Sequence, residues 1–314
     1  MLRIFTDPRC SLHRAPPWFP ERPERLAAVT ARLAEGPWPI AEEASASGAG
    51  EAIAAVHDRR YVERLHAAVE RGDGLIDSAD NPLSAGTWNA ARAAVEVALT
   101  AADWVMEGSG RAAFAALRPP GHHAERAFAM GFCYFNNAAV AAEHLIRHHG
   151  LDRVAILDFD VHHGNGSQHI FEERRDVLYV STHQYPFYPG TGAASESGRG
   201  AGQGATLNVP LPAGTGDRGY RQAFAERMLP ALRRHAPQAL VISAGFDAWR
   251  RDPVGGMAVT EDGFEEWGRL LGELAHEVAG GRSISFLEGG YDLEMLGELA
   301  SRYLRGLDPA ETAG

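Results

Sequence analysis

Asp158-Phe-Asp160-Val-His162 sets three metal-capable side chains at alternate positions, so extended backbone would point two carboxylates and an imidazole to one side. Asp160 and His162 offer one oxygen and one nitrogen donor, and Asp247, in a distant Gly-Phe-Asp segment, is available as a third ligand. Three protein ligands with an open position are how catalytic zinc is held, leaving a water to be polarised. The tandem His122-His123 follows Arg-Pro-Pro-Gly, a turn whose prolines fix the backbone and so suit two acid/base groups. Each catalytic imidazole needs an acceptor for its other nitrogen, and Asp158 and Asn165 are the candidates. Tyr291, after Gly289-Gly290, carries a phenol able to donate to a developing oxyanion. His148-His149, at the end of a helical stretch, reads instead as a harmless surface pair.

Something must bring these residues together. Apolar, β-branched runs at Leu2 to Phe5, Ala112 to Leu117, Val154 to Phe159, Val177 to Ser181, Thr206 to Val209, Ala239 to Ser243 and Ser283 to Leu287 read as strands. Between them lie amphipathic stretches: Thr87 to Met106, Asn137 to His149 ended by Gly150, Tyr220 to His235, and Glu261 to Val278 behind a Thr260 N-cap. The alternation predicts an α/β fold with a mostly parallel sheet and helices on both faces. Ligands of such sheets bind beyond the carboxyl ends of the strands. Five strand ends deliver Arg118 to His123, Asp158 to Asn165, Ser181 to His183, Gly245 to Asp247 and Glu288 to Tyr291 to that edge. No composition break divides the chain, so residues 1–314 read as one catalytic domain.

The 314 residues carry 30 basic and 41 acidic side chains, a formal charge of −11. That excess argues against direct nucleic-acid binding and suits a cationic substrate. Every basic residue is arginine; with no lysine, the chain cannot be acetylated on a lysine of its own. Two cysteines, Cys10 and Cys133, exclude a disulfide framework or a cysteine-based zinc cluster. No apolar run reaches the length of a membrane span and the start lacks a signal-peptide plan, so no membrane partner and a cytoplasmic location are expected.

Arg118-Pro-Pro-Gly-His-His123, Gly131-Phe-Cys-Tyr-Phe-Asn-Asn137, Asp158-Phe-Asp-Val-His-His-Gly-Asn-Gly166, Tyr188-Pro-Gly-Thr-Gly192, Ala244-Gly-Phe-Asp-Ala248 and Leu287-Glu-Gly-Gly-Tyr-Asp292, in that order, resemble the zinc-dependent histone deacetylase and acetylpolyamine amidohydrolase family. The likeness runs from about Pro20 to Leu304. It implies a single-domain arginase/deacetylase fold with a sheet of about eight strands. It also implies one Zn²⁺ on Asp160, His162 and Asp247, His122 and His123 as the acid/base pair, Asp158 as partner of His122, and Tyr291 as oxyanion donor. Asn165 stands where class I members carry Asp; with Asn136-Asn137, this makes the chain more similar to class II and bacterial members. The resemblance extends to Asp80 as a rim carboxylate that holds a substrate backbone, and to Gly131, Phe132 and Tyr188 lining a narrow acyl-amine channel. It also implies a structural K⁺ near Asp158, Asp160, His162, Ser181 and Thr182. Two departures stand out: Phe19 replaces His before Pro-Glu-Arg-Pro-Glu-Arg, and Val254 sits where polyamine-specific relatives carry Glu.

The expected activity is therefore removal of an acetyl or other small acyl group from an acylated amine, with acetyl-lysine in protein or peptide preferred and acetylpolyamines as the alternative. A ureohydrolase needs a second Asp-x-Asp pair for a second metal, and Asp247-Ala-Trp249 lacks it. A catalytically silent acyl-binding protein would be signalled by loss of Tyr291 or of a ligand; all are present.

Overall fold

The computed structural model describes residues 1–44, 46–108 and 111–308; residues 45, 109–110 and 309–314 of the expected domain lie outside the described residues. In chain order the strands are β1 (Leu2–Phe5), β2 (Ile40–Ala41), β3 (Leu75–Ile76), β4 (Ser78–Pro82), β5 (Ala112–Ala115), β6 (Val154–Asp158), β7 (Val177–Gln184), β8 (Thr206–Leu211), β9 (Ala239–Ala244) and β10 (Ser283–Leu287). Eight of them form one sheet ordered β2-β1-β5-β10-β9-β6-β7-β8, and every pairing in it is parallel. The five central strands from β5 to β7 are buried at every residue, which is why they read as continuous apolar runs rather than as alternation.

The helices are α1 (Pro23–Leu33), α2 (Ala49–Val56), α3 (Arg59–Arg71), α4 (Thr87–Met106), α5 (Asn137–Arg147), α6 (Asn165–Phe171), α7 (Asp217–Ala223), α8 (Leu229–His235), α9 (Glu261–Ala279) and α10 (Leu296–Leu307). One layer holds α4 and α5, with α2 packed on α5; another holds α1, α9 and α10. Beneath α9 and α10, Phe159 meets the rings of Trp267 at 5.2 Å and Tyr303 at 5.4 Å. Because all strands of the sheet run the same way, their carboxyl ends share one edge, and the polar segments predicted to meet there do so.

Several expectations are corrected. Two-residue β2 was not anticipated; it pairs with Ile4 and Phe5 but is too short to carry a pattern. Asp80 lies in an antiparallel hairpin, β3 with β4, which was not anticipated either. The stretch read as one helix from Tyr220 to His235 starts at Asp217 and passes through a π-helical turn at Phe224–Met228 between α7 and α8. Thr260 does precede α9, yet its side chain makes no capping bond: its hydroxyl donates to Asp217 instead, 2.7 Å away.

Candidate active site

The segment after β6 is bent, not extended, so simple alternation does not explain how its side chains converge. The backbone N–H of Asp160 donates to Asp158 Oδ1 (3.1 Å), and that of His162 donates to Asp160 Oδ1 (2.9 Å). Two successive side-chain-to-backbone bonds of this i, i+2 kind turn the chain back on itself. Phe159 goes to the core, while Asp160 and His162 face Asp247 from the end of β9. His162 Nδ1 lies 3.0 Å from Asp160 Oδ1 and 3.2 Å from Asp247 Oδ2.

Asp160, His162 and Asp247 each offer a ligand atom within 4.8 Å of the others, and all three are buried. Burial first, and the neighbouring Asp160 charge second, push the Asp247 carboxyl up; Asp160 itself is held down because His122 and His162 outweigh its own burial. Asp247 Oδ2 makes no hydrogen bond, an orphan that buried carboxylates rarely tolerate. Backbone glycines line the same space: a Cβ on Gly245 would lie 2.1 Å from Asp160 Oδ2, and one on Gly289 would lie 2.1 Å from Asp247 Oδ2. Two crowded carboxylates, an imidazole and an unused oxygen together fit a divalent cation.

The tandem histidines lie beside this centre, their rings 4.0 Å apart, and their surroundings differ. His122 Nδ1 is 3.0 Å from Asp158 Oδ2, whereas His123 Nδ1 is 2.7 Å from Asn165 Oδ1. In both, the ring's Nδ1–H donates; His122 Nε2 lies 3.9 Å from Asp160 Oδ1. Burial lowers both imidazoles, but Asp158 and Asp160 outweigh it for His122 and carry it up to about 10. Among the described residues no carboxylate touches His123; burial and the positive neighbours His122 and His162 hold it well below the usual range. The pair thus separates into one imidazole that favours a proton and one that favours the neutral form. Asn165 Nδ2 also donates to Glu125 (2.6 Å), which accepts from half-exposed His169 at 2.8 Å.

Glu288, within the quoted Leu-Glu-Gly-Gly-Tyr-Asp motif but given no role from sequence, fixes the backbone of the pair. Its Oε2 accepts from the N–H of Gly121 (2.6 Å) and of His122 (3.2 Å). A second layer was also missed: Arg118 donates two bonds to Glu21, at 2.5 and 2.7 Å, and Arg25 donates to Glu21 and to the carbonyls of Gly290 and Glu288. All three side chains are at most 1% exposed. The Arg25 guanidinium also lies over the Tyr291 ring, 4.7 Å from its centre. Their place in Pro20-Glu-Arg-Pro-Glu-Arg25 was the available signal, but nothing in spacing could reveal partners 265 residues away.

A cavity of about 290 Å³ reaches this floor, lined by Asp80, His122, His123, Gly131, Phe132, His162, Phe187, Tyr188, Val254 and Tyr291 among others. Gly131 (φ +56°) and Phe132 (φ +69°) are consecutive left-handed residues, and a Cβ on Gly131 would strike the His123 ring at 2.3 Å. A non-glycine residue in this region costs roughly 1–2 kcal/mol. Here it sets the Phe132 ring 6.0 Å from Tyr291 and 5.1 Å from Phe19, so Phe19 backs the cavity wall. Opposite, Phe187 stacks on His162 at 5.3 Å; it lies just outside the Tyr-Pro-Gly-Thr-Gly motif and was not anticipated. Tyr188, 38% exposed, donates its hydroxyl to Asp80 at 2.7 Å, and Asp80 also accepts from the Gly131 N–H at 3.1 Å. Asp252, likewise not anticipated, accepts from the N–H groups of Tyr291 and Val254 and so ties two lining segments together.

The residues expected near potassium also gather. Asp158 pairs in register with Ser181 across β6 and β7, Ser181 Oγ lies 2.8 Å from His183 Nδ1, and Thr182 Oγ1 donates to the Val209 carbonyl.

Residues 19–307 match the histone deacetylase domain. The chain belongs to the histone deacetylase family. It is 42% identical over 267 residues to the chloroplastic histone deacetylase 14 of Arabidopsis thaliana, covering 82% of this chain and 63% of that one. It is 41% identical over 288 residues to a probable deacetylase of Archaeoglobus fulgidus, covering 90% and 79%. The crystal structure of an acetylpolyamine aminohydrolase from Burkholderia pseudomallei superposes with a TM-score of 0.88 at 37% identity, over 97% of this chain and 98% of that one. Within the histone deacetylase family, relatives named for histones and relatives named for acetylpolyamines thus both lie near this sequence. The deacetylase fold expected from the motifs is the fold observed.

Proposed function

We propose that this chain is a zinc-dependent amidohydrolase that removes acetyl or another small acyl group from an acylated amine, with acetyl-lysine in protein or peptide preferred. The observation that carries the proposal is the floor of the cavity. There, three buried donors, a neutral imidazole and a phenol converge at the end of a narrow aromatic passage.

Asp160, His162 and Asp247 would hold one Zn²⁺, which when bound supplies a Lewis acid for the amide carbonyl and lowers the pKa of water. His123 Nε2 takes a proton from the attacking water, its ring oriented by the bond from Nδ1 to Asn165. The Tyr291 hydroxyl donates to the oxyanion that forms as the carbonyl becomes tetrahedral. The imidazolium then returns the proton to the amine nitrogen as the C–N bond breaks, so amide and water become carboxylic acid and amine. His122, kept charged by Asp158, adds positive potential beside the developing anion. A structural K⁺ would sit near Asp158, Asp160, His162, Ser181 and Thr182, with backbone carbonyls as further ligands.

Phe132 and Tyr188 would grip one unbranched chain, and Asp80 would accept from the amides of a peptide backbone. Val254 supports acetyl-lysine over polyamine, since an uncharged side chain at this position of the lining offers nothing to a distant ammonium. Net charge −11 favours cationic substrates in either case. The test is turnover of acetyl-lysine peptides, acetylputrescine and longer acyl-lysines by the purified protein, with and without chelator. Chelator-sensitive release of acetate, fastest from the peptides, is expected. Higher kcat/KM on acetylputrescine would overturn the substrate assignment, and no turnover of any acyl-amine would overturn the activity.

A further inference from the structure

Away from the cavity, at the opposite edge of the sheet, four metal-capable side chains meet on α4 and α5. His144 and His148 lie one turn apart on α5 and its C-cap, His149 follows, and Asp103 faces them from the last turn of α4. Each offers one ligand atom, and the four atoms all lie within 4.8 Å of one another. His144 Nε2 is 2.6 Å and His149 Nε2 is 2.8 Å from the same oxygen, Asp103 Oδ1. The His148 ring stacks on His144 at 4.7 Å with the planes 10° apart, and stands 5.0 Å from His149. Helix α5 begins at Asn137 beside the catalytic edge, and its 11 residues carry the chain roughly 16 Å away from it.

We propose that Asp103, His144, His148 and His149 form a second, surface metal site for a late first-row divalent ion of the Zn²⁺, Ni²⁺ or Cu²⁺ kind. An imidazole pair at i, i+4 on one helix face is a ready-made chelate, and a third imidazole with one carboxylate completes a four-donor set. Three nitrogens and one oxygen select these ions over Mg²⁺ and Ca²⁺, which take oxygen ligands. The surroundings favour a cation independently of the donors. The carboxyl ends of α4 and α5 both lie here, each with its partial negative charge. Glu51, Glu107 and Glu143 line the adjoining hollow of about 720 Å³ with Asp103; Arg111 pairs with Glu107, and Arg147 and Arg174 both pair with Glu143. The hollow and the partial exposure of all four side chains give an ion access from solvent. Bound there, the ion would staple the end of α5 to α4 and leave the catalytic edge untouched.

The test counts ions bound beyond those the purified holoenzyme already carries. Zn²⁺ alone is titrated by calorimetry into the holoenzyme and into His148→Ala and His149→Ala variants. Cu²⁺ is followed in parallel by electron paramagnetic resonance. One additional Zn²⁺ per chain, weakened at least about tenfold in both variants, is expected, with nitrogen hyperfine structure on the Cu²⁺ signal. Deacetylase turnover in both variants should stay at its original level, since neither residue reaches the catalytic cavity. His148 is exposed and alanine suits a helix end, so that variant folds. No saturable additional Zn²⁺, equal binding by the variants, or displacement by equimolar Mg²⁺ would each overturn the site. None of these outcomes depends on the metal content of the catalytic centre, because only the ions lost with His148 and His149 are counted.

Discussion

Two adjacent histidine pairs, His122-His123 and His148-His149, have the same dipeptide and opposite surroundings. The first pair is buried where strand ends meet, and each imidazole has its own Nδ1 partner: the Asp158 carboxylate, which with Asp160 keeps His122 charged, and the Asn165 amide for His123, which burial keeps neutral. The second pair sits at a helix end, partly exposed: His149 shares one oxygen of Asp103 with His144, and His148 stacks on the His144 ring. The dipeptide does not specify chemistry; the neighbours do. A different partner on each ring makes a charged imidazole beside a neutral one, whereas several rings gathered beside one carboxylate make a chelate.

The contrast breaks most visibly at the carboxylates. Asp247→Ala removes a ligand from the buried centre and is expected to abolish measurable turnover and one equivalent of metal; the ion at the α4–α5 end should persist. Metal analysis of both Asp247→Ala and His148→Ala checks this. Two ions retained in the His148 variant would mean a dinuclear catalytic centre and would revive the ureohydrolase reading.

Next in size is Tyr291→Phe, expected to lower kcat by roughly 10²-fold to 10³-fold while KM and metal content hold. If steady-state kinetics show the original kcat, Tyr291 is a packed aromatic under Arg25 and another donor must serve the oxyanion.

Acid should loosen the fold through its buried histidines. Burial holds His13 and His57 down to about 4 against an ordinary 6.5, so the unfolded chain binds protons first as pH falls. Their stabilising contribution is complete above pH 6.5 and is lost through pH 4, at about 1.4 kcal/mol per pKa unit for each group. Glu21 works in the same direction at lower pH: burial raises it, but Arg118 outweighs that and brings it down to about 2. Its contribution is present above pH 4.5 and lost toward pH 2. Glu288 and Asp247, which burial pushes up to about 7, work in the opposite direction, so the readout is the difference between two chains: from pH 6.5 to 4 the melting temperature of His57→Gln should fall less, or rise more, than that of the native chain. Identical pH profiles for the two would show that the His57 ring is not held neutral.

The smallest effect belongs to the rim. Asp80→Ala should reduce kcat/KM for acetyl-lysine peptides by about tenfold and that for acetylputrescine much less, because a polyamine has no backbone amides to offer. Equal losses on both would leave Asp80 the role that its bonds to Tyr188 and Gly131 already give it, a tie across the mouth.

What could be read from the sequence follows from how local each determinant is. The central strands were legible because burial on both faces writes a continuous apolar run, and the convergence of the candidate site residues because they fall at the ends of those runs. Asp160 and His162 do come together, but not by the alternation that suggested it: Asx-type bonds turn the chain there. Edge strand β2, the hairpin that carries Asp80, and the Glu21, Arg25, Arg118 and Glu288 network were not legible. Their determinants are long-range contacts, such as Arg118 on Glu21 across 97 residues, and no window on the sequence contains both partners.

The contact between Arg25 and the Gly290 carbonyl spans 265 positions, and the Gly289 N–H reaches Asp160 across 129. A chain emerging from the ribosome can fold β5 and β6 long before Gly289 to Tyr291 exist, yet the proposed oxyanion donor arrives with them. Closing loops of this size is slow and comes late in folding. Hydrolytic competence is therefore the last property the nascent chain acquires, and its appearance in a refolding experiment would time the completion of the fold itself.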